Sequence, residues 1–327
     1  MHRLTFVVSL VALGRLGSGC SDYRECAPVD ADTLAALPAR LSETGLFSDV
    51  ASRELTDGVF PYAPQFELWS DGAEKQRWIA LPPGAVVDTS DMDHWQFPEG
   101  TRLWKEFARD GVRLETRLLQ KTGPSPEDWI AAAYLWSADQ SDATLVAEGA
   151  EDVHGTTHDV PSASDCTGCH DGARSRVLGF SAIQLAYDAE AGQLDLDDLV
   201  GDGLLSAPPE RPLVVPGDDT ERAALGYLHA NCAHCHNQDR PEGKGPRCYD
   251  PLNDLDFRLL TGRLGSVDET PTYRTVVATP LIRAGEPRRS HLLMLISGHG
   301  GQRMPPLGTE VVDDEGVALL SSWIEGM

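Results

Sequence analysis

Two five-residue stretches carry the densest chemistry in the chain: CTGCH at 166–170 and CAHCH at 232–236. Two thiols three residues apart share one turn of chain, where both can add to the two vinyl groups of a single haem. The histidine that follows then lies beneath the iron as its proximal ligand. At this chain's cysteine and histidine content one chance C-x-x-C-H is expected about 0.005 times, so composition does not explain two. The spacing makes Cys166, Cys169, Cys232 and Cys235 the attachment points of two covalently bound c-type haems, with His170 and His236 as axial ligands. Zinc held by both pairs, or a disulfide within either, is the competing chemistry. A long organised segment separates the pairs, and neither sits in a thioredoxin-type strand-to-helix unit. His234, inside the second motif, is expected to face solvent.

A second axial ligand is offered by GHGGQRMPPLG at 298–308. Prolines fix their own backbone and restrict the residue before them, so Pro305 and Pro306 stiffen the loop that would hold the Met304 thioether on iron. His291 and His299 compete without that support. His/Met ligation raises a haem's potential and suits electron transfer. The first motif has no such loop: its sixth position is filled by His154, by His158 or by no protein group.

These groups need elements to position them. KQRWIALP, TRLWKEFA, VRLETRLLQK, WIAAAYLWS and ATLVAEGA are aromatic and β-branched runs between Pro, Gly and Asp turns, which predicts a compact antiparallel β domain over 43–165. RLETRLLQ alternates as a half-buried strand should. The segment 166–215 holds the first haem motif, two short helices (RVLGFSAIQLAYD and LDLDDLVGDGLL) and a Pro-rich linker. From 216 to 327 the pattern turns helical. Asp218 or Asp219 caps a helix carrying Leu225, Leu228 and Cys232, Pro287 starts another, and a closing helix aligns Val317, Leu320, Trp323 and Ile324. The fold class expected is α+β: an antiparallel β domain followed by a mostly α-helical one.

Length and charge narrow the function. The 327 residues include 51 acidic and 27 basic ones, a net charge of −24, with 41% hydrophobic residues. No basic stripe exists to neutralise phosphates, which excludes nucleic acid as partner. An acidic surface can steer a basic redox protein. Arg3 and the apolar run Leu4 to Leu13 read as a signal peptide over 1–19, too short to span a bilayer. Cys20 is a lipidation candidate that opens a tether over 20–42, which implies a periplasmic or membrane-anchored lipoprotein. Cys26 and Cys248 remain as a possible pair.

Three resemblances follow from these residues. Helix with CxxCH, loop with Met, closing helix: residues 216–327 resemble a class I cytochrome c, in which Gly226-Tyr227 and Trp323 stand where the first and last helices cross. In that frame Arg283, Arg289 and Arg303 are candidate partners of haem propionates. Gly45-Leu46-Phe47, Pro61-Tyr62, Leu68-Trp69-Ser70-Asp71-Gly72-Ala73, Trp95-Gln96-Phe97-Pro98-Glu99-Gly100-Thr101 and YLHANCAHCH resemble a family of exported di-haem c-type cytochromes associated with quinoprotein sugar-dehydrogenase-like partners. More distantly, FPEGTRLWKEF, LLQKTG and CTGCH are similar to β-sheet cytochromes that oxidise hydroxylamine or bind nitric oxide on a five-coordinate haem. A lysine is cross-linked to the porphyrin in the oxidising members, and Lys121 stands near the comparable place, with a strand-end role as the alternative. Bacterial di-haem peroxidases space their motifs farther apart and carry an FRTP-like stretch missing here. The expectation is electron transfer between a periplasmic dehydrogenase or quinol-linked donor and a downstream acceptor, more carrier than catalyst. The alternative is an enzyme with an open first haem acting on nitric oxide, hydroxylamine or peroxide.

Overall fold

The computed structural model describes residues 29–240, 254–277, 279–299 and 303–327. The expected signal peptide, Cys20 and the Cys26–Cys248 pair lie outside them. Among the described residues no helix is long and apolar enough to cross a membrane.

A short helix α1 (Ala31–Ala35) and a ribbon of β1 (Phe47–Asp49) and β2 (Glu54–Leu55) open the fold. One antiparallel sheet follows in chain order: β3 (Val59–Pro61), β4 (Glu74–Ala80), β5 (Arg102–Arg109), β6 (Val112–Lys121), β7 (Trp129–Trp136) and β8 (Ala143–Leu145). The sheet expected from the aromatic runs is therefore present, and both of its faces are covered. On one, Trp78, Trp104, Leu118, Tyr134 and Trp136 pack against Leu37, Leu41, Leu46 and Phe47 from the N-terminal segment. On the other, Ile79, Leu103 and Leu119 join Phe180, Ile183, Leu225, Leu228, Leu320 and Trp323 in a single core. Each such side chain contributes roughly 1.5–3 kcal/mol through burial. β6 is thus a central strand, and the half-exposed strand expected from its alternation is corrected: its polar Glu115 and Arg117 point into the protein.

The two short helices expected between the motifs are α3 (Ala182–Leu185) and α4 (Leu196–Gly201), preceded by α2 (Ala163–His170). Beyond them come α5 (Asp219–Asn231), α6 (His291–Ile296) and α7 (Asp314–Gly326).

The mostly α-helical cytochrome c-like domain expected over 216–327 is not seen. The described residues are 28% helical and 19% strand, a mixed fold with few helices around the six-stranded sheet. The described residues over 254–277 and 279–290 run as coil and single turns. The physical reason lies in the packing. α5 and α7 do touch, but they enclose no core of their own, because their apolar residues share the layer built on the sheet. The side-chain space at Gly226 is taken by Phe66 and not by the closing helix. A Cβ there would lie 2.5 Å from Cγ of Phe66, so this glycine admits a ring from the N-terminal half. Tyr227 instead rests on Gly316, and Trp323 stacks edge-on with Tyr273, ring centroids 6.1 Å apart.

Candidate cofactor site

The whole first motif lies on α2. A reciprocal cap fixes where that helix starts: Ser162 Oγ accepts from the Asp165 N–H at 3.2 Å, and Asp165 accepts from the Ser162 N–H at 3.1 Å. The loop after the helix turns back through Arg176, a left-handed residue with φ 62°, and His170 Nδ1 donates to its carbonyl at 2.5 Å. With Nδ1 protonated, Nε2 keeps its lone pair, which is the tautomer that ligates metal. Burial pushes His170 down to about 4, so the imidazole is neutral at neutral pH. Burial also pushes the Cys166, Cys169 and Cys232 thiols up to about 12. No three His, Cys, Asp or Glu side chains among the described residues gather as a metal cluster.

The second motif rides on the end of α5. Asp218 caps that helix, accepting from the Glu221 N–H at 2.9 Å. Beyond Asn231 the chain makes one more turn, with the Cys235 and His236 N–H groups both donating to the Cys232 carbonyl, at 3.2 and 2.9 Å. Asn231 ties this turn to the LWSDGA segment: its Oδ1 accepts from the Trp69 N–H at 2.8 Å and its Nδ2 donates to the Glu67 carbonyl at 3.2 Å. The same segment holds the C-terminal loop, since Asp71 Oδ1 accepts from the Val311 N–H at 2.7 Å. That stretch of sequence is therefore the clamp between sheet, α5 and the loop carrying Met304.

Folding brings the two motifs together. Gly172, just past the first, lies so close to the His234 carbonyl of the second that no Cβ fits between them. Asn237 Nδ2 donates to the Gly172 carbonyl at 3.0 Å. Cys166, Cys169 and His170 line one cavity of about 510 Å³ together with His234 and Cys235, within the range of about 300–1,000 Å³ of ligand sites. Its far wall is the sheet, through Arg77, Lys105 and Arg117, and the loop Pro305–Gly308 closes another side. His234, expected to face solvent, faces this cavity instead and is driven down to about 4 by burial, with His170 and His236 adding repulsion.

Other expected groups are placed around it. Cys232 packs on the main apolar core, and His236 lies edge-on to Phe257 with ring centroids 5.6 Å apart. Met304 stands in the loop whose Arg303, Pro305 and Pro306 line the cavity. Of the two histidines before the first motif, His154 Nε2 donates to the Trp136 carbonyl at 2.9 Å. His158 lines the cavity, is 3% exposed, and donates from Nε2 to Glu115 Oε1 at 2.8 Å. Burial pushes the Glu115 carboxyl up, yet Arg117 and His158 together hold it below the ordinary carboxylate value. Lys121 ends its strand by donating to the Ser125 carbonyl. Arg289 pairs with Glu286 at 3.0 Å, away from the cavity.

Sequence reasoning passed over Lys105, Glu115, Arg117 and His229, which share or flank this cavity. Their signal was the presence of charges within TRLWKEFA and VRLETRLLQK, where apolar neighbours on both sides imply burial. His229 Nδ1 accepts from the Leu259 N–H at 3.1 Å, and burial brings it down to about 4. In comparisons with known proteins, no family model, no curated protein and no solved structure matches this chain.

Proposed function

We propose that the chain is an exported electron carrier with two covalently bound c-type haems, passing electrons from a dehydrogenase or quinol-linked donor to a downstream acceptor. One observation carries the reading: both CxxCH segments abut through Gly172 and His234 and face one cavity, beside a histidine whose Nδ1 is committed to a backbone carbonyl. The donor set fits such a group. Cys166 and Cys169 would hold the first haem with His170 Nε2 toward iron; Cys232, Cys235 and His236 would hold the second, with Met304 as its further ligand. Bound there, each haem supplies a one-electron couple at iron. The protein's own part is to hold the thiols on one turn, keep His170 neutral through burial, and exclude water with the sheet and the Pro305–Gly308 loop. Short separation of two attachment sites suits electron exchange within one molecule. The acidic surface suits a basic redox partner, a quinoprotein dehydrogenase among the candidates, and export with Cys20 as lipid anchor remains part of the proposal.

A potentiometric titration followed by visible absorption tests this reading. Two one-electron waves with c-type α-bands are expected, and a protein without those bands rejects it. A second reading has its own support. Both rivals for the sixth position near His170 are engaged elsewhere, His154 with the Trp136 carbonyl and His158 with Glu115. An open first iron acting on nitric oxide, hydroxylamine or peroxide follows from that. Carbon monoxide added to the reduced protein separates the two: a ligand-shifted band supports the open site, and an unchanged spectrum removes it.

A further inference from the structure

A row of three cations crosses the cavity-facing side of the sheet. Arg77 on β4 stands directly opposite Lys105 on β5, and Lys105 directly opposite Arg117 on β6. Like charges in direct register destabilise a sheet, and this row lies in a chain whose net charge is −24. The outer two are compensated. Arg77 Nη1 meets Glu67 Oε1 at 2.9 Å, and Arg117 Nε donates to Glu115 Oε2 at 3.0 Å. The middle one is not. Lys105 Nζ makes no hydrogen bond or ion pair with any described residue; it lies over the Phe107 ring at 4.7 Å, while Arg117 covers the same ring at 4.3 Å. Lys105 lines the cavity that both cysteine motifs face.

We propose that Lys105 anchors an anion site in this cavity, completed by a carboxylate of a ligand lying between Arg77 and Arg117. Glu67, shared between Arg77 and Lys75, and Glu115, held by Arg117, engage the neighbours, so Lys105 is the member of the row without a carboxylate, the place a ligand carboxylate fills. A partly buried cation without a counter-ion carries a cost, and a charge-assisted hydrogen bond is the strong kind that offsets it. Burial, and then repulsion from Arg77, Arg117 and Lys75, hold the Lys105 ammonium well below its ordinary value, and a bound anion would restore it. The carboxylate has two possible sources: a side arm of the haem proposed for Cys166 and Cys169, or a free small carboxylate from solution. The site stands on the sheet geometry, and only the first source rests on the function proposed above.

The test uses the full chain matured in a host competent for haem attachment, as parent, Lys105→Gln and Lys105→Arg. Its intact mass decides separately whether porphyrin is present. Sodium acetate is titrated by calorimetry, and resonance Raman spectra report hydrogen bonding to the haem carboxylates. With a free source, the parent binds acetate saturably, Lys105→Gln binds it about tenfold or more weakly, as expected for one lost charged hydrogen bond, and Lys105→Arg retains it. With the haem as source, acetate is silent and the carboxylate-bending band shifts in Lys105→Gln but not in Lys105→Arg. Silent acetate with an unchanged band in all three proteins overturns the proposal, as does equal acetate binding by parent and Lys105→Gln. A protein lacking porphyrin rejects the haem reading and leaves acetate alone to decide this one, silence then counting against it. Lys105→Gln removes an unpaired cation from a like-charged row, so its thermal midpoint is expected at or above that of the parent, which checks that it folds.

Discussion

Gly172 is where the two motifs touch, and replacing it by alanine perturbs that junction alone. The backbone at Gly172 is one that alanine adopts freely, so the cost is steric. The new Cβ would overlap the His234 carbonyl oxygen and lie 2.9 Å from its carbonyl carbon, both backbone atoms that cannot swing aside. Carbon atoms prefer about 3.5–4.0 Å, so the segments must part by roughly 1 Å. Parting also stretches the hydrogen bond from Asn237 Nδ2 to the Gly172 carbonyl, now 3.0 Å. Overpacking costs about 1–3 kcal/mol and a lost hydrogen bond about 0.5–1.5 kcal/mol, which together make roughly 2–4 kcal/mol. For a chain of 327 residues that corresponds to a fall of roughly 3–6 °C in thermal midpoint. Near-ultraviolet circular dichroism on parent, Gly172→Ala, Asn237→Ala and the double variant measures it. Asn237→Ala alone is expected to cost about 1 kcal/mol, and the double variant less than the sum, because both changes break one contact. A Gly172→Ala protein melting with the parent would refute the contact, and with it the shared cavity.

Three further outcomes follow from the same geometry. Glu115→Ala leaves Arg117 and the buried His158 without their shared carboxylate, and urea unfolding is expected to show a loss of about 3–5 kcal/mol. His229 titrates near 4 in the fold and at about 6.5 when unfolded. Between those values the unfolded chain binds the extra proton, so stability falls as pH drops through that window and is unaffected above it; His229→Gln should flatten this part of a stability profile, by up to about 3 kcal/mol, and an unchanged slope rejects the assignment. On the proposed function, Met304→Ala should lower the potential of one centre and abolish its sulfur-to-iron charge-transfer band, and a surviving band removes Met304 from iron.

How much of this was legible in the sequence depended on whether the signal was local. β4 to β7 announced themselves through aromatic and β-branched runs, α5 through a cap at Asp218 or Asp219, and α7 through the stripe of Val317, Leu320, Trp323 and Ile324, signals that act within a few turns. The exposure of β6 was misread for a reason that is not local. Its alternation of apolar with charged residues looks identical whether the polar face meets water or a cavity, and here the N-terminal segment covers one side and the motif-bearing layer the other. The helical domain over 216–327 failed similarly. Gly226, Tyr227 and Trp323 have the residue types of a helix crossing, yet Phe66, distant in sequence, occupies the space at Gly226. Pairing of the two cysteine motifs through Gly172 and His234 was equally invisible, since neither motif encodes which distant segment it packs against. The motifs identified chemistry; only packing could show that they share one cavity.

The most direct measurement is the intact mass of the full chain from a host competent for haem attachment, beside Cys166→Ser/Cys169→Ser and Cys232→Ser/Cys235→Ser variants. The parent is expected to exceed its polypeptide mass by two porphyrins and each double variant by one. A parent that weighs only its amino acids contradicts the proposed function outright.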